Sequence, residues 1–114
     1  YFNDFPAITI NNYGRGTLLY EGCMVSNAIQ EKIVLQTLER AGIKTPDQDI
    51  SWPLITKSGT NESGKIIRYY YNYSSESQGF IYPYKGGLEL LSGKRVNAGE
   101  KVTIAPWDLF IFEE

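Results

Sequence analysis

A chain of 114 residues holds one domain with a modest core or two small subdomains, since a polypeptide this short buries only about two-thirds of the surface that its unfolded form exposes. Nine Tyr, five Phe and two Trp must supply much of that buried area, each large ring removing roughly 150 to 250 Å² from water. A net charge of −2, basic residues scattered singly, no apolar run near the ~20 residues that span a bilayer, no His and a lone Cys23 together argue against nucleic acid, a membrane, a disulfide, a metal or another cofactor.

Residues 7–13 alternate apolar and polar side chains, with β-branched residues at the apolar positions, which is the period of a strand. Gly14-Arg15-Gly16 interrupts the pattern, and residues 17–23 resume it, so the segment predicts an antiparallel hairpin. The Gly-x-Gly is not a phosphate cradle, because a strand and not a helix follows it. Cys23 beside Met24 reads as a small buried hydrophobe and not as a reactive thiol.

From Ser26 the period changes. Ile29, Ile33, Val34, Leu38 and Ala41 recur at spacings of three and four, and the polar residues between them form a wet face, which predicts an amphipathic helix over about 27–41. Ser26 or Asn27 can cap its first turn, with Gln30 at capping-box spacing from Asn27, and Gly42 stands where a left-handed residue ends a helix.

Residues 44–51 hold Pro46 and two Asp without an apolar period and read as a linker. Strands are expected over 52–57, 65–73, 78–84, 88–91, 102–104 and 109–112, with a polar turn over 58–64 and turns at 74–77 and at Lys85-Gly86-Gly87. About six strands at this spacing predict a small antiparallel β-sandwich. The face carrying Ile67, Tyr69, Tyr71 and Tyr73 is the more apolar side of the longest strand, so Tyr69, Tyr71, Leu90, Ile104, Leu109 and Ile111 are the expected core. The fold class is therefore α+β, a ββα unit over 1–45 followed by an antiparallel β domain over 46–114.

Several motifs in this order carry a family resemblance. Arg68-Tyr69-Tyr70-Tyr71-Asn72-Tyr73-Ser74, then Leu90-Leu91-Ser92-Gly93, then Ala105-Pro106-Trp107 leading into a last strand ending in Glu113, resembles the C-terminal β domain of family 42 glycoside hydrolases, the bacterial β-galactosidases. Upstream, residues 6–20 and a helix ending in Ala41-Gly42-Ile43 look like the close of that family's α/β, amidotransferase-like middle domain, through which such enzymes often trimerise. Tyr70 and Tyr71 depart from the aliphatic or Phe residues usual there, and Trp107 stands where Tyr is common.

The resemblance implies a structural and assembly role in a parent β-galactosidase, with an upstream catalytic barrel of the same polypeptide as partner and self-association through the first half. The start on Tyr1 fits a piece of a longer chain, with any export signal upstream and a bacterial cytoplasmic or periplasmic setting. No catalytic residue is carried over, because retaining chemistry needs two carboxyl groups roughly 5 to 5.5 Å apart, and no Glu here lies in a matching motif. Two sequons, at Asn61 and Asn72, carry little meaning in a bacterial chain. The competing readings are a carbohydrate-binding accessory module, with Trp52, Tyr82, Tyr84 and Trp107 as an exposed platform, and an accessory domain of another glycosidase. Against the first stands the expectation that these rings fill a thin core.

Overall fold

The computed structural model describes residues 5–114, and the chain forms two compact units, the first ending at Ile43 and the second running over Lys44–Glu114. In the first, β1 (Ile8–Tyr13) and β2 (Gly16–Glu21) pair antiparallel with Tyr13 opposite Gly16, as the Gly-rich turn requires. Helix α1 (Asn27–Ala41) follows, and Gly42 closes it at φ 67°. The Gly42 N–H donates to Glu39 O and the Ile43 N–H to Leu38 O, each at 3.1 Å, a Schellman arrangement that satisfies two orphan carbonyls.

The start of α1 differs from expectation. Ser26 precedes the helix in an extended conformation and its side chain makes no capping bond, while the Gln30 amide donates to the Glu21 carboxylate at 3.2 Å. A charged acceptor on the preceding strand thus takes the group expected to close a capping box. Burial differs as well. Among the described residues of the first unit none is buried, and Ile10, Leu18, Tyr20 and Ile29 are exposed. Cys23, expected inside, is exposed too: β2 ends at Glu21, and the connection to α1 has no core to enter.

In the second unit the expected linker is ordered. Pro46–Asp49 form a 3-10 turn, and the Thr45 N–H and hydroxyl both donate to Gln48 Oε1, at 2.6 and 3.0 Å. Seven strands follow: β3 (Leu54–Thr60), β4 (Ile66–Asn72), β5 (Gln78–Ile81), β6 (Gly86–Glu89), β7 (Arg95–Asn97), β8 (Lys101–Ile104) and β9 (Leu109–Glu113). They form an antiparallel five-stranded sheet in the order β3-β4-β9-β6-β7 and a two-stranded sheet β5-β8. The polar turn is shorter than expected, because β3 runs on to Thr60. Gly86 and Gly87, read as a turn, lie in β6. A Cβ on Gly86 would sit 2.9 Å from Val96 O, and one on Gly87 would sit 3.1 Å from Glu113 O, so bare backbone lets β7 and β9 close on β6.

The core consists of Leu54, Tyr70, Tyr82, Val96, Val102, Ile104 and Phe112. Tyr70 stacks on Phe80 with centroids 4.5 Å apart and meets Phe112 edge-on at 5.8 Å. Ile104 is buried as expected, but the buried face of β4 is the other one. Tyr69, Tyr71, Leu109 and Ile111 are only half-buried and Leu90 is exposed, while Arg68, Tyr70 and Asn72 point inward. The reason is polar satisfaction. The Asn72 amide donates to the carbonyls of Glu76 (2.7 Å) and Ala105 (2.9 Å), and Arg68 finds two carboxylates, so the face with fewer apolar residues carries no unpaired group inside.

Candidate functional site

The structure separates the four aromatic residues singled out in the sequence. Tyr82 is fully buried, its ring 5.0 Å from Phe112 and its hydroxyl donating to Glu114 Oε1 at 2.6 Å. Burial, reinforced by the Glu114 carboxylate, pushes its phenol pKa far up. Tyr84 is half-buried under the Arg68 guanidinium, whose carbon lies 3.2 Å from the ring centroid. Its hydroxyl is enclosed without a partner in hydrogen-bonding geometry, and burial raises its pKa. Tyr82 offers no free face, and Arg68 covers one face of Tyr84. Trp52 and Trp107, by contrast, are 71% and 70% exposed.

One short segment, 72–74, meets both tryptophans. The backbone N–H of Trp107 donates to Ser74 O at 3.1 Å from a left-handed conformation (φ 57°), and the Trp52 ring leans on Tyr73 with centroids 6.3 Å apart. The Tyr73 N–H holds Pro53 O at 3.0 Å, following a cis Trp52–Pro53 peptide. Asn72 fixes the segment in turn, its Oδ1 accepting from the Ser74 N–H (3.1 Å) and hydroxyl (2.8 Å). From Tyr73 the rings continue down the outer face of β4, Tyr71 at 6.3 Å and Tyr69 a further 6.2 Å on.

Beside Trp52 an open cleft of about 390 Å³ lies between residues 46–54 and β5. Asp49, Ser51 and Gln78 are polar residues of its lining, with the Asp49 carboxylate 3.1 Å from Lys44 Nζ and the Gln78 amide donating to Ser74 Oγ at 3.4 Å, and Pro53, Phe80 and Ile81 are apolar ones. The sequence reading identified Trp52 here but missed Asp49 and Gln78, which stand 29 positions apart and meet only through the fold.

A second cluster lies inside. Arg68 Nη1 contacts Asp47 Oδ2 at 3.3 Å and Arg68 Nε donates to Glu114 Oε1 at 3.0 Å, while the Tyr70 hydroxyl lies 3.4 Å from Asp47 Oδ1. The guanidinium thus binds the 3-10 turn to the end of the last strand. Both carboxylates are engaged by Arg68 and by phenols, which makes the group a clamp and leaves neither free for acid–base work. No sequence pattern links Asp47 to Arg68, and the linker reading hid the first while the face assignment hid the second.

Glu89 is a third buried charge. Its carboxylate accepts from the N–H groups of Leu91 (3.1 Å), Ser92 (2.5 Å) and Ile111 (3.3 Å), so the Leu-Leu-Ser-Gly turn is wrapped around an anion. Burial alone would raise the Glu89 pKa, but the hydrogen bonds from Ser92, Leu91 and Ile111 outweigh it and hold the pKa below the ordinary carboxylate value. Among the described residues no cluster of three or more Cys, Asp or Glu is placed to hold a metal ion, and no helix is long and apolar enough to cross a membrane.

The chain is similar in structure to β-galactosidases. The enzyme from Bacillus circulans sp. alkalophilus matches with a TM-score of 0.87 at 21% identity, over 100% of this chain and 16% of that one. Two structures of Gan42B, a GH42 β-galactosidase from G. stearothermophilus, one of them a catalytic mutant, match with TM-scores of 0.70 and 0.69 at 18% identity, each over 97% of this chain and 16% of the other. No family model and no curated protein matches the chain. The chain therefore shares its fold with a part of these enzymes that makes up 16% of their length.

Proposed function

We propose that this chain is the non-catalytic C-terminal portion of a family 42 β-galactosidase, serving structure and assembly in a parent that hydrolyses terminal β-D-galactosides at an upstream barrel. The observation that carries this reading is the likeness over the whole chain, TM-score 0.87, to 16% of a β-galactosidase. The ordered motifs support it: the turn around Glu89, the Asn72-anchored segment and the Ala105-Pro106-Trp107 approach to β9 each hold a definite place in the fold. In this reading residues 1–45 are the ββα end of the middle domain and residues 46–114 the C-terminal β domain, its two sheets forming a small sandwich.

The first unit supports the assembly role. Its hairpin and helix bound a groove of about 640 Å³ lined by Leu19, Ile33, Val34 and Leu38, and a unit with no buried residue among those described has apolar surface to place against something else. In the parent the rest of the middle domain and the barrel would cover it; in the isolated chain a second copy would. Sequencing the coding region upstream of Tyr1 tests the proposal. A barrel with two paired catalytic glutamates is the expected result, and an in-frame region without one overturns it.

A further inference from the structure

We propose that the cleft beside Trp52 is a binding site for a neutral sugar, with the indole face stacking on a pyranose ring and Asp49, Ser51 and Gln78 receiving its hydroxyls. This rests on the reading above only for the choice of galactosides as probes. The volume, about 390 Å³, lies within the range of roughly 300 to 1,000 Å³ typical of small-ligand sites. The wall combines what a sugar needs: a flat ring for the C–H face, and for the hydroxyl edge a carboxylate that accepts and a hydroxyl and an amide that can both accept and donate.

Other ligand classes fit less well. Asp49 is the one charged residue lining the cleft, and the nearby Lys44 ammonium is already paired with it, so the lining itself disfavours an anion. Of the two rings in the lining, Phe80 is committed to Tyr70 at 4.5 Å, which leaves Trp52 alone and short of the several rings that cage a quaternary ammonium or grip a proline-rich strand. The indole leans on Tyr73, and the Tyr73 N–H to Pro53 O bond fixes the backbone next to it, which lowers the ordering a ligand must impose. The Asp49 carboxylate is exposed and already pairs with the Lys44 ammonium at 3.1 Å, so a sugar hydroxyl would share it with that cation.

The test is a titration of the 114-residue chain with galactose and lactose up to about 100 mM, a hundred times a 1 mM dissociation constant, followed by backbone amide shifts. Saturable shifts centred on residues 49–53 and 78–83 are expected, with a millimolar constant. Trp52→Ala should weaken binding by at least about tenfold and Gln78→Ala by a few-fold, while Trp107→Ala leaves it unchanged. Trp52 is a surface residue, so dispersed spectra are expected for its variant; Asp49→Asn and Gln78→Ala decide the matter if that variant fails to fold. No saturation, binding that survives Trp52→Ala, or shifts produced by a proline-rich peptide and not by sugar would each overturn the site. A parent enzyme that cleaves galactosides while this chain binds none removes the site and keeps the family reading. Sugar binding by a chain whose reading frame encodes no barrel does the reverse.

Discussion

Arg68 ties together three parts of the second unit. It reaches Asp47 in the turn before β3 and Glu114 at the end of β9, and it covers the Tyr84 ring. Removing one partner from such a buried group leaves uncompensated charge, so Arg68→Ala should lower stability by about 3 to 5 kcal/mol in urea denaturation. A loss below about 1 kcal/mol would mean that water already screens the clamp. Glu89 makes a prediction with a sign. Its folded pKa lies below the unfolded value of 4.5, so its contribution is complete above that pH and fades as pH falls through the folded value. Glu89→Gln should therefore melt lower than the parent by a constant margin above about pH 5, and the margin should narrow in acid. A margin independent of pH would contradict the assignment.

At the level of elements, the hairpin and helix were legible because their signals are local: a Gly-rich turn between two period-2 runs, and a 3.6-residue stripe ended by Gly42. Most strands were legible for the same reason. Strand β7 was not, being three residues long with a single apolar side chain, Val96, and neither was the start of β6, where two glycines imitate a turn. The inward face of β4 was hidden for a different reason. Apolar content favours Tyr69 and Tyr71, and only the distant partners Asp47, Glu114 and the carbonyl of Ala105 let Arg68 and Asn72 turn inward. Because Phe112 is buried and Leu109 half-buried, Phe112→Ala should cost about 3 to 5 kcal/mol, and Leu109→Ala clearly less, in matched denaturation midpoints. The opposite order would restore the face expected from apolar content.

For the whole molecule, the resemblance read from ordered motifs and the likeness in structure point to the same enzymes. Of the candidate cleft only Trp52 was singled out in the sequence; Trp107 is a surface indole outside its lining, whereas the core took Tyr82 and the clamp took Tyr84, outcomes set by strand parity and by Arg68, neither of which is a local property. The partly exposed stripe of α1 and the open groove beside it lead to the expectation that the isolated chain self-associates through its first unit. Light scattering should show a dimer or larger species that a variant lacking residues 1–43 no longer forms; a monomer at high concentration, or a dimer that survives the deletion, would refute this. The central claim concerns chemistry located elsewhere in a parent chain, and turnover of an aryl β-galactoside by the product of the complete reading frame and by the 114-residue chain tests it most directly. The account predicts hydrolysis by the first and none by the second. Glutamate-dependent hydrolysis by the 114-residue chain alone, or a complete product inert towards β-galactosides, would contradict it.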